Sequence, residues 1–154
     1  MKSAFEEVGI DWTVKEHAVA MTVEEGLAQT SDLNCSFAKN LFFKDKKLGM
    51  FLLTVTAERK VDPKKLSGLL GLSSQGNFRF ADEKTLTENL AVKQGSVSPL
   101  AVMNDTKGAV TLVLDKDLMA APLIGVHPLR NDMTNTLTPD DLLKVRTLET
   151  HGSV

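Results

Sequence analysis

The chain has one cysteine, one tryptophan, no tyrosine and no long apolar run. A single thiol, Cys35, cannot form an internal disulfide, nor by itself supply a structural zinc site, which takes four ligands. Stability must therefore come from packing. The longest apolar stretches, such as Met50-Phe51-Leu52-Leu53 and Met119 to Val126, fall far short of the ~18 residues of a membrane span. Glu6 and Glu7 stand where a secretory leader needs a basic start and an apolar run, so the expected compartment is the cytosol. His17, His127 and His151 show no HExxH spacing and no clustered cysteine partner, which leaves a metal site without support. Neither G-x-G-x-x-G nor G-x-x-x-x-G-K-[ST] occurs, and Gly68, Gly71 and Gly76 read as helix and turn punctuation, so no nucleotide cofactor is expected. Seven phenylalanines and one tryptophan leave little aromatic surface beyond the needs of a core, which argues against the broad stacking sheets of single-strand RNA binders.

What is present is an ordinary globular composition: 154 residues, 42% hydrophobic and 25% charged. This is the length and make-up of one folded domain, expected over 1–150 with a frayed tail at 151–154. The net charge of −2 hides an asymmetry, with −5 over residues 1–34 and +5 over residues 39–65. Lys39, Lys44, Lys46, Lys47, Arg59, Lys60, Lys64 and Lys65 form either a basic surface suited to phosphates or a solvated hairpin tip followed by a helix start.

Local patterns predict the elements. An opening helix around Phe5 to Val8 precedes a short strand over Asp11 to His17, which alternates around Trp12 and Val14. Thr22-Val23-Glu24-Glu25 is a capping box that starts a helix running to about Gln29. Ser36 to Lys44 and Met50 to Glu58 form a hairpin around Asp45-Lys46-Lys47-Leu48-Gly49. Asp62-Pro63 starts a helix that Gly71 stops, and Asp82 caps another that runs to Leu90. Val97 to Met103 and Ala109 to Leu114 are predicted as a second hairpin, Pro122 to Val126 and Met133 to Leu137 as final strands. Thr138-Pro139-Asp140-Asp141 opens the last helix. Hairpins interleaved with helices give an α+β, mixed α/β class and not a doubly wound fold.

Two loops stand out chemically. Gly95-Ser96-Val97-Ser98-Pro99 spaces a glycine and a proline so that free backbone amides could face an oxygen, as could those of any tight turn. Gly125-Val126-His127-Pro128-Leu129-Arg130-Asn131 ends a strand with a histidine beside proline, either in a pocket or as a hydrogen-bonded turn residue. Cys35 reads as a small core residue, and a Cys35–His nucleophile pair stays open.

These segments, with Ala38-Lys39-Asn40-Leu41-Phe42-Phe43-Lys44 and Phe78-Arg79-Phe80-Ala81-Asp82-Glu83, resemble the YbaK/ProX family of prolyl-tRNA synthetase-associated editing domains over about residues 10–148. Within that family the look is closest to the ProXp-ala/PrdX branch of prolyl-tRNA deacylases. The resemblance implies a central mixed, largely antiparallel sheet flanked by helices, with no cofactor. It implies a hydrolase that cleaves the aminoacyl-tRNA ester of mischarged Ala-tRNA(Pro), with the tRNA(Pro) acceptor end and possible association with prolyl-tRNA synthetase as partners. Deacylation of Cys-tRNA(Pro) or another small aminoacyl-tRNA, and a non-catalytic tRNA-docking role, are the alternatives. In the same resemblance Lys39 holds the terminal adenosine's phosphate, Gly95, Ser96, Val97, Ser98 and Pro99 form the loop that orients the ester carbonyl, and Asn40, Gly125, His127, Asn131 and Thr22 belong to the substrate pocket. No side chain serves as general base; the substrate's ribose hydroxyl and backbone amides position the water. The chain departs from the family in reading His17-Ala18 where His-Pro is common, and His17 is taken as structural.

Overall fold

The computed structural model describes residues 9–20, 22–72 and 76–147. Seven strands build the sheet: β1 (Thr13–Glu16), β2 (Ser36–Asp45), β3 (Gly49–Thr56), β4 (Arg79–Phe80), β5 (Val110–Leu114), β6 (Ile124–Val126) and β7 (Met133–Leu137). They run in the order β1-β7-β6-β2-β3-β5, with β4 added beside β2. The β2/β6 and β3/β5 pairs are parallel and the other four antiparallel. The helices are α1 (Val23–Gln29), α2 (Leu66–Leu69), α3 (Glu83–Leu90), α4 (Lys116–Met119) and α5 (Pro139–Thr147). The α+β class and the mixed sheet agree with the pattern read from sequence.

Side chains alternate across β2, and this sorts the core onto the two faces of the sheet. Phe42 packs with Leu52 and with Leu86 and Leu90 of α3, whereas Phe43 packs with Phe51, Leu53, Val55, Leu66 and Phe78. A third cluster joins Leu118, Ile124, Val126 and Leu137 to Leu142 and Val145 of α5.

Local chemistry sets the element ends. The Thr22 hydroxyl accepts from Glu25 N (3.2 Å) while the Glu25 carboxylate accepts from Thr22 N (3.3 Å), closing the capping box. Asp45 Oδ1 accepts from Lys47 N and Leu48 N, and Gly49 takes φ +93°, a turn conformation that favours glycine. Asp62 and Pro63 open a 3₁₀ turn that leads into the short α2.

Val97 to Met103 is not a strand, so the second hairpin does not form. Ser98 caps a 3₁₀ helix over Pro99–Asn104, accepting from Leu100 N (3.3 Å), and β5 instead joins β3 in parallel. Leu100, Ala101 and Val102 are all buried. Such a continuous apolar run suits a buried helical turn as well as a strand, and the proline at the first helical position decides for the turn. The two-residue β4 and the short α4, capped by Asp115, lie below the length at which periodicity is visible. The expected opening helix at 5–8, the tail at 151–154 and His151 lie outside the described residues. Among the described residues no helix is long and apolar enough to cross a membrane.

One topological feature creates the site. β3 pairs β2 from Ala38 to Asp45, but the opposite edge is shared by β6 at Ser36–Phe37 and β4 at Phe43–Lys44. Ala81 N donates to Phe42 O (2.9 Å) at the β4 end. Residues 38–41 thus face a gap between two strands.

Candidate active site

A cavity of about 430 Å³ occupies this gap. Its floor is residues 38–42 of β2; Thr22, Val23, Gly26 and Leu27 at the start of α1 form one side, and residues 80–83 the other. Gly95, Val97, His127 and Thr134 are among the other residues that line it.

Lys39 is half-buried and donates to Ala57 O (3.0 Å) and Arg59 O. An ammonium has three donors, so these two carbonyls orient it and leave one N–H for a ligand. The carbonyl-bearing segment is itself held: Arg59 forms ion pairs with Asp115 (2.5 Å) and Asp117. Asn40 lines the cavity, but its amide is committed to the protein. Nδ2 donates to Val97 O (3.0 Å) and Oδ1 accepts from Thr54 Oγ1 (2.8 Å), tying the 95–97 loop to β2 and β3.

Within the loop, only Gly95 and Val97 line the cavity. Gly95 has φ +87°, a left-handed conformation that favours glycine. Ser96 N donates to Lys93 O (3.0 Å), and Ser98 and Pro99 are buried as the cap and first turn of the 3₁₀ helix. Those three residues anchor the loop and do not border the cavity.

His127 Nδ1 lies 2.9 Å from Met133 O. A carbonyl can only accept, so Nδ1 is the donor there, and in the tautomer with its proton on Nδ1 the other nitrogen, Nε2, is an acceptor. The ring of His17 lies 6.3 Å away, its Nδ1 on Ala18 O and its Nε2 on Thr134 Oγ1. Both nitrogens of His17 are therefore occupied, in keeping with a structural role. Thr22 lines the cavity while capping α1. Gly125 and Asn131 do not border it. A Cβ on Gly125 would meet Cys35 Sγ at 2.9 Å and the Phe37 ring at 3.0 Å, so this glycine lets the cavity-lining Phe37 pack. Asn131 Nδ2 donates to Ala20 O (3.3 Å) and stands behind Gly95.

A model of the aminoacyl-tRNA editing domain matches residues 17–145. The chain belongs to the aminoacyl-tRNA editing domain family. It is 42% identical over 139 residues to prolyl-tRNA synthetase associated domain-containing protein 1 of Danio rerio, covering 89% of this chain and 74% of that one. It is 33% identical over 142 residues to the prolyl-tRNA editing protein ProX of Acetoanaerobium sticklandii, covering 91% and 84%. A solved structure described as a candidate trans-editing enzyme for prolyl tRNA synthetase superposes with a TM-score of 0.72 at 24% identity, over 94% of this chain and 87% of that one. That likeness concerns the fold.

The editing domain's charges are mostly spoken for around the cavity. Lys44 pairs with Asp82, and this contact, with Thr85 N and Oγ1, holds the Asp82 carboxyl well below the usual carboxylate range. With Lys39 and Arg59 also engaged, three members of the basic block fasten the fold near the cavity. Burial pushes the Cys35 thiol up to about 11, the opposite of an activated nucleophile. Sequence reading did not find Phe80 or Thr134, both on the cavity wall. Phe80 sits within the family-like block at 78–83, but its outward direction depends on β4, and Thr134 carried no motif.

Proposed function

We propose that this editing domain hydrolyses the ester of alanine mischarged onto tRNA(Pro), releasing alanine and free tRNA. The observation that carries the reading is the convergence on one cavity of Lys39, the Gly95 and Val97 backbone, and His127, drawn from three distant stretches of the chain. The names of the ProX and synthetase-associated relatives support tRNA(Pro) as the tRNA, and prolyl-tRNA synthetase as the source of the error.

The chemical need is a second sieve. A synthetase site sized for proline rejects smaller alanine poorly, because each missing methylene is worth only about 1–3 kcal/mol. In the editing cavity the remaining Lys39 N–H clamps a phosphate oxygen of the terminal nucleotide. The backbone amides of Gly95 and Val97 face the ester carbonyl and stabilise the negative charge that develops there, while that of Ser96 holds the turn. His127 Nε2 accepts an N–H or O–H of the substrate. Water then bonds to the ester carbon, the bond from that carbon to the ribose oxygen breaks, and the ribose oxygen leaves with a proton from the water. No triad is needed when positioning and charge stabilisation carry the rate.

The test is single-turnover deacylation of Ala-, Cys- and Pro-tRNA(Pro) by the purified chain. Fast loss of alanine with proline spared is expected. Faster clearance of cysteine would overturn the alanine assignment, and no loss above the buffer rate for any ester would overturn the deacylase reading.

A further inference from the structure

Phe80 is 60% exposed, in a chain with few aromatic residues. Single exposed apolar side chains are ordinary, but this one is fixed in place and borders the cavity. Its strand is pinned to β2 by the Phe43↔Phe80 and Lys44↔Arg79 pairs, and by Ala81 N donating to Phe42 O. Asp82, two residues on, is held by Lys44. The ring lies against that of Phe43, which is fully buried, with centroids 4.6 Å apart and planes 32° apart. Phe80 is thus a backed ring with its other side open. Leu69, at 72% the most exposed large apolar side chain among the described residues, has no part in the same cavity.

A rigid aromatic ring with one covered side and one open side favours a flat partner. Lys39 and Phe43 share a face of β2, four residues or about 13 Å apart along the strand. A ligand that reaches both Lys39 and Phe80 is therefore larger than an amino acid, and has the size of a nucleoside carrying an acyl ester. We propose that Phe80 is the stacking platform for the terminal nucleobase of the substrate, a contact separate from Lys39, the loop amides and His127. The inference rests on the ester reading above. Stacking needs no hydrogen bond to a base edge, so it anchors the nucleoside without selecting its identity.

The test compares wild type with Phe80→Ala, Phe80→Leu and Phe80→Trp on two substrates, the alanyl esters of adenosine 5′-monophosphate and of base-free ribose 5-phosphate. Phe80→Ala and Phe80→Leu should lower kcat/KM on the nucleotide ester about 5- to 150-fold, mostly through KM, while Phe80→Trp retains it. The base-free ester should be turned over poorly and equally by all four proteins. Equal activity of Phe80→Ala and wild type on the nucleotide ester would overturn the proposal. So would an equal loss on both esters, which would mark a structural effect.

A binding readout stands apart from hydrolysis. In Phe80→Trp, fluorescence beyond that of the native Trp12 should be quenched by adenosine 5′-monophosphate but not by ribose 5-phosphate, with wild type as control. If wild type hydrolyses neither ester, the deacylase reading fails, while selective quenching would still support the stack. Absence of selective quenching would overturn it.

Discussion

Replacing Asn40 with alanine removes two bonds at once. Nδ2 no longer donates to Val97 O and Oδ1 no longer accepts from Thr54 Oγ1, whose residue is fully buried. Each neutral hydrogen bond is worth about 0.5–1.5 kcal/mol net, and leaving a buried partner unpaired adds about 1–3 kcal/mol. With water able to reach Val97 O from the cavity, the cost comes to about 2–4 kcal/mol. For a chain of this length each kcal/mol lowers Tm by roughly 2–4 °C, so Asn40→Ala should melt about 4–16 °C below wild type. Thermal unfolding followed by circular dichroism measures this, and a double-mutant cycle with Thr54→Val isolates the pair, with an expected coupling of at least about 0.5 kcal/mol. Single-turnover deacylation at a temperature where both proteins are folded should fall at least ~10-fold, because the Gly95–Val97 wall has lost its tether. An Asn40→Ala protein with unchanged Tm and unchanged rate would refute the positioning role. Unchanged Tm with lost activity would return Asn40 to direct substrate contact.

Gly125→Ala places a Cβ against Cys35 and Phe37; it should destabilise by about 1–3 kcal/mol, and Cys35→Ala in the same chain should recover part of that in denaturant titrations. Because burial raises the folded-state pKa of Cys35 from 9.0 to about 11, the unfolded chain loses its thiol proton first. That contribution to stability is complete below pH 9 and fades towards pH 11, and the Cys35→Ser protein should lack this part of the decline in alkaline melts. Iodoacetamide at pH 8 should alkylate the folded chain far more slowly than the unfolded one, as mass spectrometry can follow. Arg59→Ala loosens the segment whose carbonyls orient Lys39. It should lower turnover several-fold, with partial recovery in Arg59→Lys read as rate against substrate concentration.

Features written in a few neighbouring residues were legible in the sequence. The capping box at Thr22 and Glu25, the Asp82 cap, the Asp45–Gly49 turn and the β2–β3 hairpin each depend on contacts within a short stretch. Lys39, the glycine–proline loop and His127 were legible through their family-like spacing, and the fold brings Lys39, Gly95, Val97 and His127 to one cavity. What could not be read is long-range. Whether Leu100 to Val102 forms a strand or a helical turn depends on the surrounding core. The gap in the β2 edge exists because two strands remote in sequence stop short of each other. Asn40 does line the cavity, but only the fold shows that its amide is held by Val97 and Thr54, and Ser96, Ser98 and Pro99 share a motif with Gly95 while serving to anchor it.

The most direct measurement is single-turnover deacylation of Ala-tRNA(Pro) by wild type and Lys39→Ala at matched folding, verified by Tm. Under the proposed clamp role, removing this cation should slow hydrolysis about 100-fold or more while the variant stays folded, since its loss uncovers only the carbonyls of Ala57 and Arg59. Equal rates in the two proteins would contradict Lys39 as the clamp, and with it the placement of the reaction in this cavity.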